Sequence, residues 1–157
     1  MRKRICSVLL AAILMAGCAT ARFYPVQGPL AAQTPSPVFV GKIKGAFYSG
    51  SVKVTLSDGE TCQGKWAAVP RPEKSMTTAT SGSDMRAEWD LIYGSGFYVS
   101  HVLGARLYAK STLKGDKGTS LDLEMYKPED FSKGETSAAV KGVAKDDKGN
   151  IYKVTFS

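Results

Sequence analysis

Three cysteines and one histidine are the side chains of this 157-residue chain that carry thiol or imidazole chemistry. Two of the cysteines, Cys6 and Cys18, lie within and just after an apolar N-terminal run, which leaves Cys62 and His101 as the pair to weigh for catalysis. A thiol beside an imidazole is the minimum for covalent thiol chemistry, because a base must take the proton from sulfur. Nothing local to either residue has the pattern of a nucleophile site, and Cys62, between Thr61 and Gln63 in an alternating segment, suits a small buried side chain equally well. A zinc site needs three or four ligands, more than one Cys and one His supply. The run Asp146-Asp147-Lys148-Gly149-Asn150 lacks the alternating oxygen ligands and closing glutamate of a calcium loop. Gly94-Ser95-Gly96 and residues 115–118 lack the lysine and hydroxyl residue that follow a phosphate cradle. All three are expected to be turns, and the chain is read as non-enzymatic, with no metal and no cofactor.

The remaining sulfur, Cys18, has a more telling setting. Arg2, Lys3 and Arg4 precede an uncharged run over residues 5–16 (ICSVLLAAILMA). As a helix those twelve residues would be about 18 Å long, against a bilayer core of about 30 Å. The run is too short to span a membrane and has the length and flanking charge of a signal peptide. Leu14-Met15-Ala16-Gly17-Cys18 resembles the lipobox of bacterial lipoproteins, with Met15 where that family prefers leucine. The resemblance implies cleavage between Gly17 and Cys18, a diacylglyceryl group on the Cys18 sulfur, and an acyl group such as palmitate on the new amino terminus. Several acyl chains at about 0.8 kcal/mol per buried methylene give lasting attachment, where one chain is marginal. Because Ala19 follows the cysteine in place of the aspartate that retains such proteins at the inner membrane, the resemblance implies the outer membrane, on its periplasmic or surface side. Ala19-Thr20-Ala21 offers a competing small-x-small cut that would release a soluble chain from Arg22.

The formal charge of +7 is lowered by this processing, since three of the 21 basic residues lie in the leader and leave 18 against 14 acidic ones, or +4. Lys42, Lys44, Lys53 and Lys65 fall singly in alternating segments, as on a solvated strand face, whereas a phosphate-binding patch needs clustering. No nucleic-acid partner is expected.

Residues 1–17 thus form the signal peptide and residues 18–37 the lipidated cysteine with a linker. Four of the seven prolines fall at 25, 29, 35 and 37, which predicts an extended spacer over residues 24–37, about 40 Å long. Residues 38–157 form a single domain dominated by alternation and turn chemistry. Val52, Val54 and Leu56 share one face before Asp58-Gly59, and residues 61–66 return. The pattern recurs over residues 105–113 and 119–126, and over 140–145 and 151–156. With residues 38–45 and 97–103 this predicts a mainly β fold of about eight strands, an antiparallel meander closed into a small barrel or folded into a sandwich. Residues 84–93 read as a short helix covering one end of the barrel, with Met85, Trp89, Ile92 and Tyr93 on one face, Asp84 to cap and Gly94 to terminate, while strict alternation through Met85, Ala87, Trp89, Leu91 and Tyr93 also fits a strand.

Trp66, Trp89, Tyr98 and Tyr108, with Tyr93, Phe97 and Tyr126, are the candidates to line a ligand cavity; small barrels are more often filled by such side chains. Residues 24–30 and 97–110 look like parts of small bacterial lipoproteins of unassigned function, a resemblance that implies no activity. The expected partners are the membrane, through Cys18, and an envelope protein, glycan or lipid bound by the β-domain. A barrel carrying an apolar small molecule is the first alternative, and a secreted soluble protein or an enzyme of unrecognised type the second.

Overall fold

A strand with apolar residues at every second position has one face to bury, and a meander of such strands buries all of them at once by closing on itself. The computed structural model describes residues 17–46, 48–69, 85–103, 105, 107–128 and 140–157. It is mainly β, with strands β1 (Gly17–Gln27), β2 (Phe39–Ala46), β3 (Ser49–Thr55), β4 (Thr61–Ala68), β5 (Leu107–Gly115), β6 (Ser120–Lys127), β7 (Lys141–Asp146) and β8 (Ile151–Phe156). Each strand pairs antiparallel with its neighbour in sequence, and β8 returns to β1, so the barrel is closed and leaves no strand edge unpaired.

Register decides which side chains enter the lumen. Phe23, Val52, Val54, Cys62, Leu113, Leu121, Leu123, Tyr152 and Val154 form one buried cluster inside, while their strand neighbours Thr20, Arg22, Lys53, Lys65, Asp122 and Lys145 face outward. An apolar lumen behind a polar wall is the reverse of a membrane-spanning barrel, whose lipid-facing band is apolar.

One end of the lumen is shut by three hairpins of the same build, spanning residues 56–60, 115–119 and 146–150. In each, the first residue's N–H donates to the fifth residue's carbonyl and the fourth residue's N–H donates back to the first carbonyl. The fourth position is a glycine with positive φ, Gly59 at 78°, Gly118 at 102° and Gly149 at 85°, which only glycine adopts without strain. The fifth position is a buried polar residue: Glu60, Thr119 or Asn150. Successive turns are also joined. Asp116 donates its N–H to the Thr61 carbonyl while its Oδ1 accepts the Thr61 N–H, and Asp147 pairs likewise with Ser120 through its N–H and Oδ2.

The described part of the β4–β5 connection, residues 85–103, packs against the outside of the wall rather than over an end. Helix α1 (Arg86–Tyr93) and the π-helical turn α2 (Tyr98–Val102) bury Trp89, Tyr98 and Val102 against Tyr108, Tyr126 and Val143. Trp89 donates its indole N–H to Glu124 Oε2 at 2.8 Å, and Glu88 pairs with Lys145 at 2.8 Å. Trp89, Tyr93, Phe97 and His101, spaced four residues apart, stack in sequence with centroid separations of 5.5, 4.8 and 4.5 Å.

Three sequence expectations are corrected. The spacer predicted from residue 24 does not begin there: residues 24–27 continue β1, and β1 itself starts at Gly17. Pro25 is tolerated because the β1–β8 register shifts between Pro25 and Gln27, where a missing N–H breaks no regular ladder. The rest of the spacer folds against the closed end, with the Leu30 N–H donating to Asn150 Oδ1 at 2.9 Å and Leu30 packed on the core. Likewise, residues 97–103 are not a strand. Gly94 and Gly96 take positive φ, Asp90 Oδ1 accepts the Tyr98 N–H at 2.8 Å, and the chain coils. The expected total of eight strands therefore holds with β1 in place of residues 97–103. Helix α1 forms within the expected residues and ends at Gly94, but it packs on the outside of the wall and does not cover an end of the barrel, because its apolar face meets Tyr108, Tyr126 and Val143; Asp84 and residues 70–83 fall outside the described residues.

Candidate binding site at the barrel mouth

At the end of the lumen opposite the three hairpins the apolar packing stops short of the rim. The result is a cavity of about 310 Å³, at the small end of the range for ligand pockets and suited to one slender group. Its wall is built by lumen-facing residues from successive strands: Gly17 and Ala19 on β1, Ile43 and Gly45 on β2, Trp66 on β4, Ala109 on β5, Met125 on β6 and Phe156 on β8. Cys18, Lys44 and Lys127 stand on the rim.

Trp66 owes its position to two glycines. Gly45, Gly50 and Trp66 lie side by side across β2, β3 and β4. A Cβ on Gly45 would overlap Trp66 Cζ2, and one on Gly50 would overlap both the Lys44 carbonyl oxygen and the indole. The indole lies over this bare backbone and donates its Nε1–H to the Lys44 carbonyl at 3.1 Å. An aromatic ring laid over cross-strand glycines restores the contacts that the missing side chains forgo, and here it also forms one side of the mouth.

Of the seven aromatic residues singled out by sequence, Trp66 and Tyr126 line this cavity. Trp89 on α1 and Tyr98 on α2 are buried outside the barrel against Tyr108, with Tyr93 and Phe97 packed on the same cluster. Tyr126 touches the cavity and also belongs to that outer cluster. Cys18 is exposed, directly opposite Lys44 in the β1–β2 ladder, and Gly17 is opposite Gly45.

The structure does not bring Cys62 and His101 together. Cys62 is in the lumen core, and burial, aided by Glu60 and Asp116, pushes its thiol up to about 11, away from the reactive thiolate. His101 is exposed on α2 and stacks on Phe97. Among the described residues, no group of three or more His, Cys, Asp or Glu side chains is placed to hold a metal ion.

The closed end holds the most polar interior chemistry. Glu60 is fully buried and accepts hydrogen bonds from the Thr119 hydroxyl, the Thr119 N–H at 2.8 Å and the Lys117 N–H at 3.1 Å, with the Lys148 ammonium at 3.6 Å. The Thr119 hydroxyl leads in holding its carboxyl below the ordinary value, against the opposing effect of burial. Asp146 Oδ2 accepts from Tyr152 at 2.6 Å and from the Asn150 side chain at 2.8 Å. These groups satisfy one another, so the arrangement is a structural plug.

The sequence reading missed a second surface feature. Lys42, Lys44, Lys53 and Lys65, dispersed along the chain, meet on the outer face of β2, β3 and β4 around a shallow cleft of about 520 Å³. Alternation placed each of them outward; only the register reveals that they are neighbours. No family model, no curated protein and no solved structure matches the chain.

Proposed function

We propose that this chain is a non-enzymatic bacterial envelope lipoprotein, anchored through Cys18, whose barrel takes an apolar group into its open mouth. The observation that carries this reading is that Cys18 stands on the rim of the apolar cavity. An anchor there holds the mouth at the membrane surface with no intervening spacer.

The competing cleavage sites differ in what they would do to β1. Cutting before Cys18 removes one residue of the strand. Cutting after Ala21 would remove five, including the fully buried Ala21 and the reciprocal hydrogen bonds of Thr20 with Ser157 at 2.8 and 2.9 Å. The intact strand favours the lipoprotein cut.

Native mass spectrometry of the protein extracted from membranes tests the ligand reading, with Ala19→Trp as the variant that fills the cavity. The proposal expects an apolar molecule retained by the parent protein and absent from the variant. The absence of any bound molecule from both would overturn it.

A further inference from the structure

Four lysines close together on one wall repel one another. Lys42 and Lys53 are direct cross-strand partners, and Lys44 and Lys65 flank Ser51 in the adjoining row. Like charges opposite one another destabilise a sheet. Ion pairs elsewhere, Lys110 with Glu124, Lys145 with Glu88 and Lys148 with Glu60, show that the fold places carboxylates beside cations on other faces. Among the described residues, none of these four lysines has such a partner. Four equals the whole net charge expected of the processed chain.

From these observations we infer that the β2–β4 wall is a docking surface for anionic phospholipid headgroups. Cys18 selects the membrane as occupant, since it lies in the same cross-strand row as Lys44, Ser51 and Lys65. With neighbouring strands about 4.8 Å apart, Lys65 is about 14 Å across the ladder from Cys18. A lipid on that sulfur keeps the wall within one or two Debye lengths of the bilayer, about 8 Å each at physiological salt. Tyr48, 67% exposed in the β2–β3 turn at the same end, adds an amphipathic ring of the kind that settles at headgroup level. The wall serves as the second attachment signal beside the acyl chains and sets which side of the barrel lies down.

The choice of membrane rests on the anchored reading, but the test does not need the anchor. The chain from residue 18 to 157, with Cys18→Ser, retains all eight strands and is assayed by co-sedimentation with vesicles of phosphatidylcholine alone or with about a third phosphatidylglycerol. Binding to the anionic vesicles only is expected, weakening with added salt. At about fivefold per lysine, the folded Lys42→Gln/Lys53→Gln variant should bind at least tenfold more weakly. Lys141→Gln/Lys153→Gln, the same charge change on the far wall, should lose much less. No binding to anionic vesicles, equal losses in the two double variants, or binding to an oligonucleotide or acidic peptide but not to vesicles would overturn the inference. Fatty-acid labelling of wild type against Cys18→Ser tests the anchor separately. Vesicle binding by a chain that is never labelled leaves the wall standing and removes the anchor; a labelled chain whose wall binds no vesicles does the reverse.

Discussion

Cys18 stands directly opposite Lys44 across the first ladder of the barrel, so the residue expected to carry lipid is itself part of the sheet. On the anchored reading proposed above, the body of the protein begins at its anchor. This removes the 40 Å of reach that a proline-rich spacer would have provided, and it brings the apolar mouth and the lysine wall to the same boundary.

The start of β1 can be tested by truncation. A chain beginning at Arg22 lacks the Thr20–Ser157 hydrogen bonds and the ladder contacts of residues 17–21 with β2. At about 1 kcal/mol net for each backbone hydrogen bond, it should unfold in urea at least about 2 kcal/mol more easily than a chain from residue 18 carrying Cys18→Ser. Equal midpoints would show that these residues are not part of the folded barrel.

The glycines beneath Trp66 give a second test. Gly50→Val introduces a side chain where the Lys44 carbonyl and the indole already lie. Overpacking of this kind costs about 1–3 kcal/mol, and the displaced indole should show a red-shifted, more quenched emission. Unchanged stability and an unchanged spectrum would mean that the indole is not seated there.

Buried Glu60 should give the barrel a specific response to acid. Its folded pKa lies below the ordinary 4.5, chiefly through the Thr119 hydroxyl. A lowered folded pKa means that the ionised group contributes stability above 4.5, and that this contribution is lost as pH falls through the folded value. Glu60→Gln should therefore melt below wild type at pH 7, and the gap should narrow as pH drops below 4.5. A gap that stays constant over that range would contradict the role assigned to the carboxylate.

Cys62 should behave as a core residue. With its thiol pushed up to about 11 and no exposure, it should resist thiol reagents at pH 8 in the folded protein and react at the rate of unfolding. The exposed Cys18 of a non-acylated chain should react within the mixing time. Fast labelling of Cys62 without denaturant would show that the lumen is open at that depth.

How far the sequence carried can be judged element by element. The three hairpins around Gly59, Gly118 and Gly149 were legible because alternation and turn glycines act locally. Helix α1 was legible through its apolar face, yet the spacing of four that joins Trp89 and Tyr93 continues to Phe97 and His101, a helical signal hidden by local alternation over residues 97–103. β1 carries the same alternation as the other strands, with Ala19, Ala21 and Phe23 inward. It was obscured because those residues also make up a processing site followed by prolines. The mouth and the lysine wall are products of register. Trp66 and Trp89 are both tryptophans, and only the fold puts one at the mouth of the barrel, on β4, and the other outside it, on the inner face of α1. The four lysines become neighbours only when β2, β3 and β4 are aligned.

The central claim is that the barrel is carried on a lipidated Cys18, and the intact mass of the protein extracted from bacterial membranes tests it most directly. The account predicts a polypeptide whose first residue is Cys18, heavier than its sequence by a diacylglyceryl group and a further acyl chain. A polypeptide beginning at Arg22, with no added mass and recovered from the aqueous fraction, would contradict it.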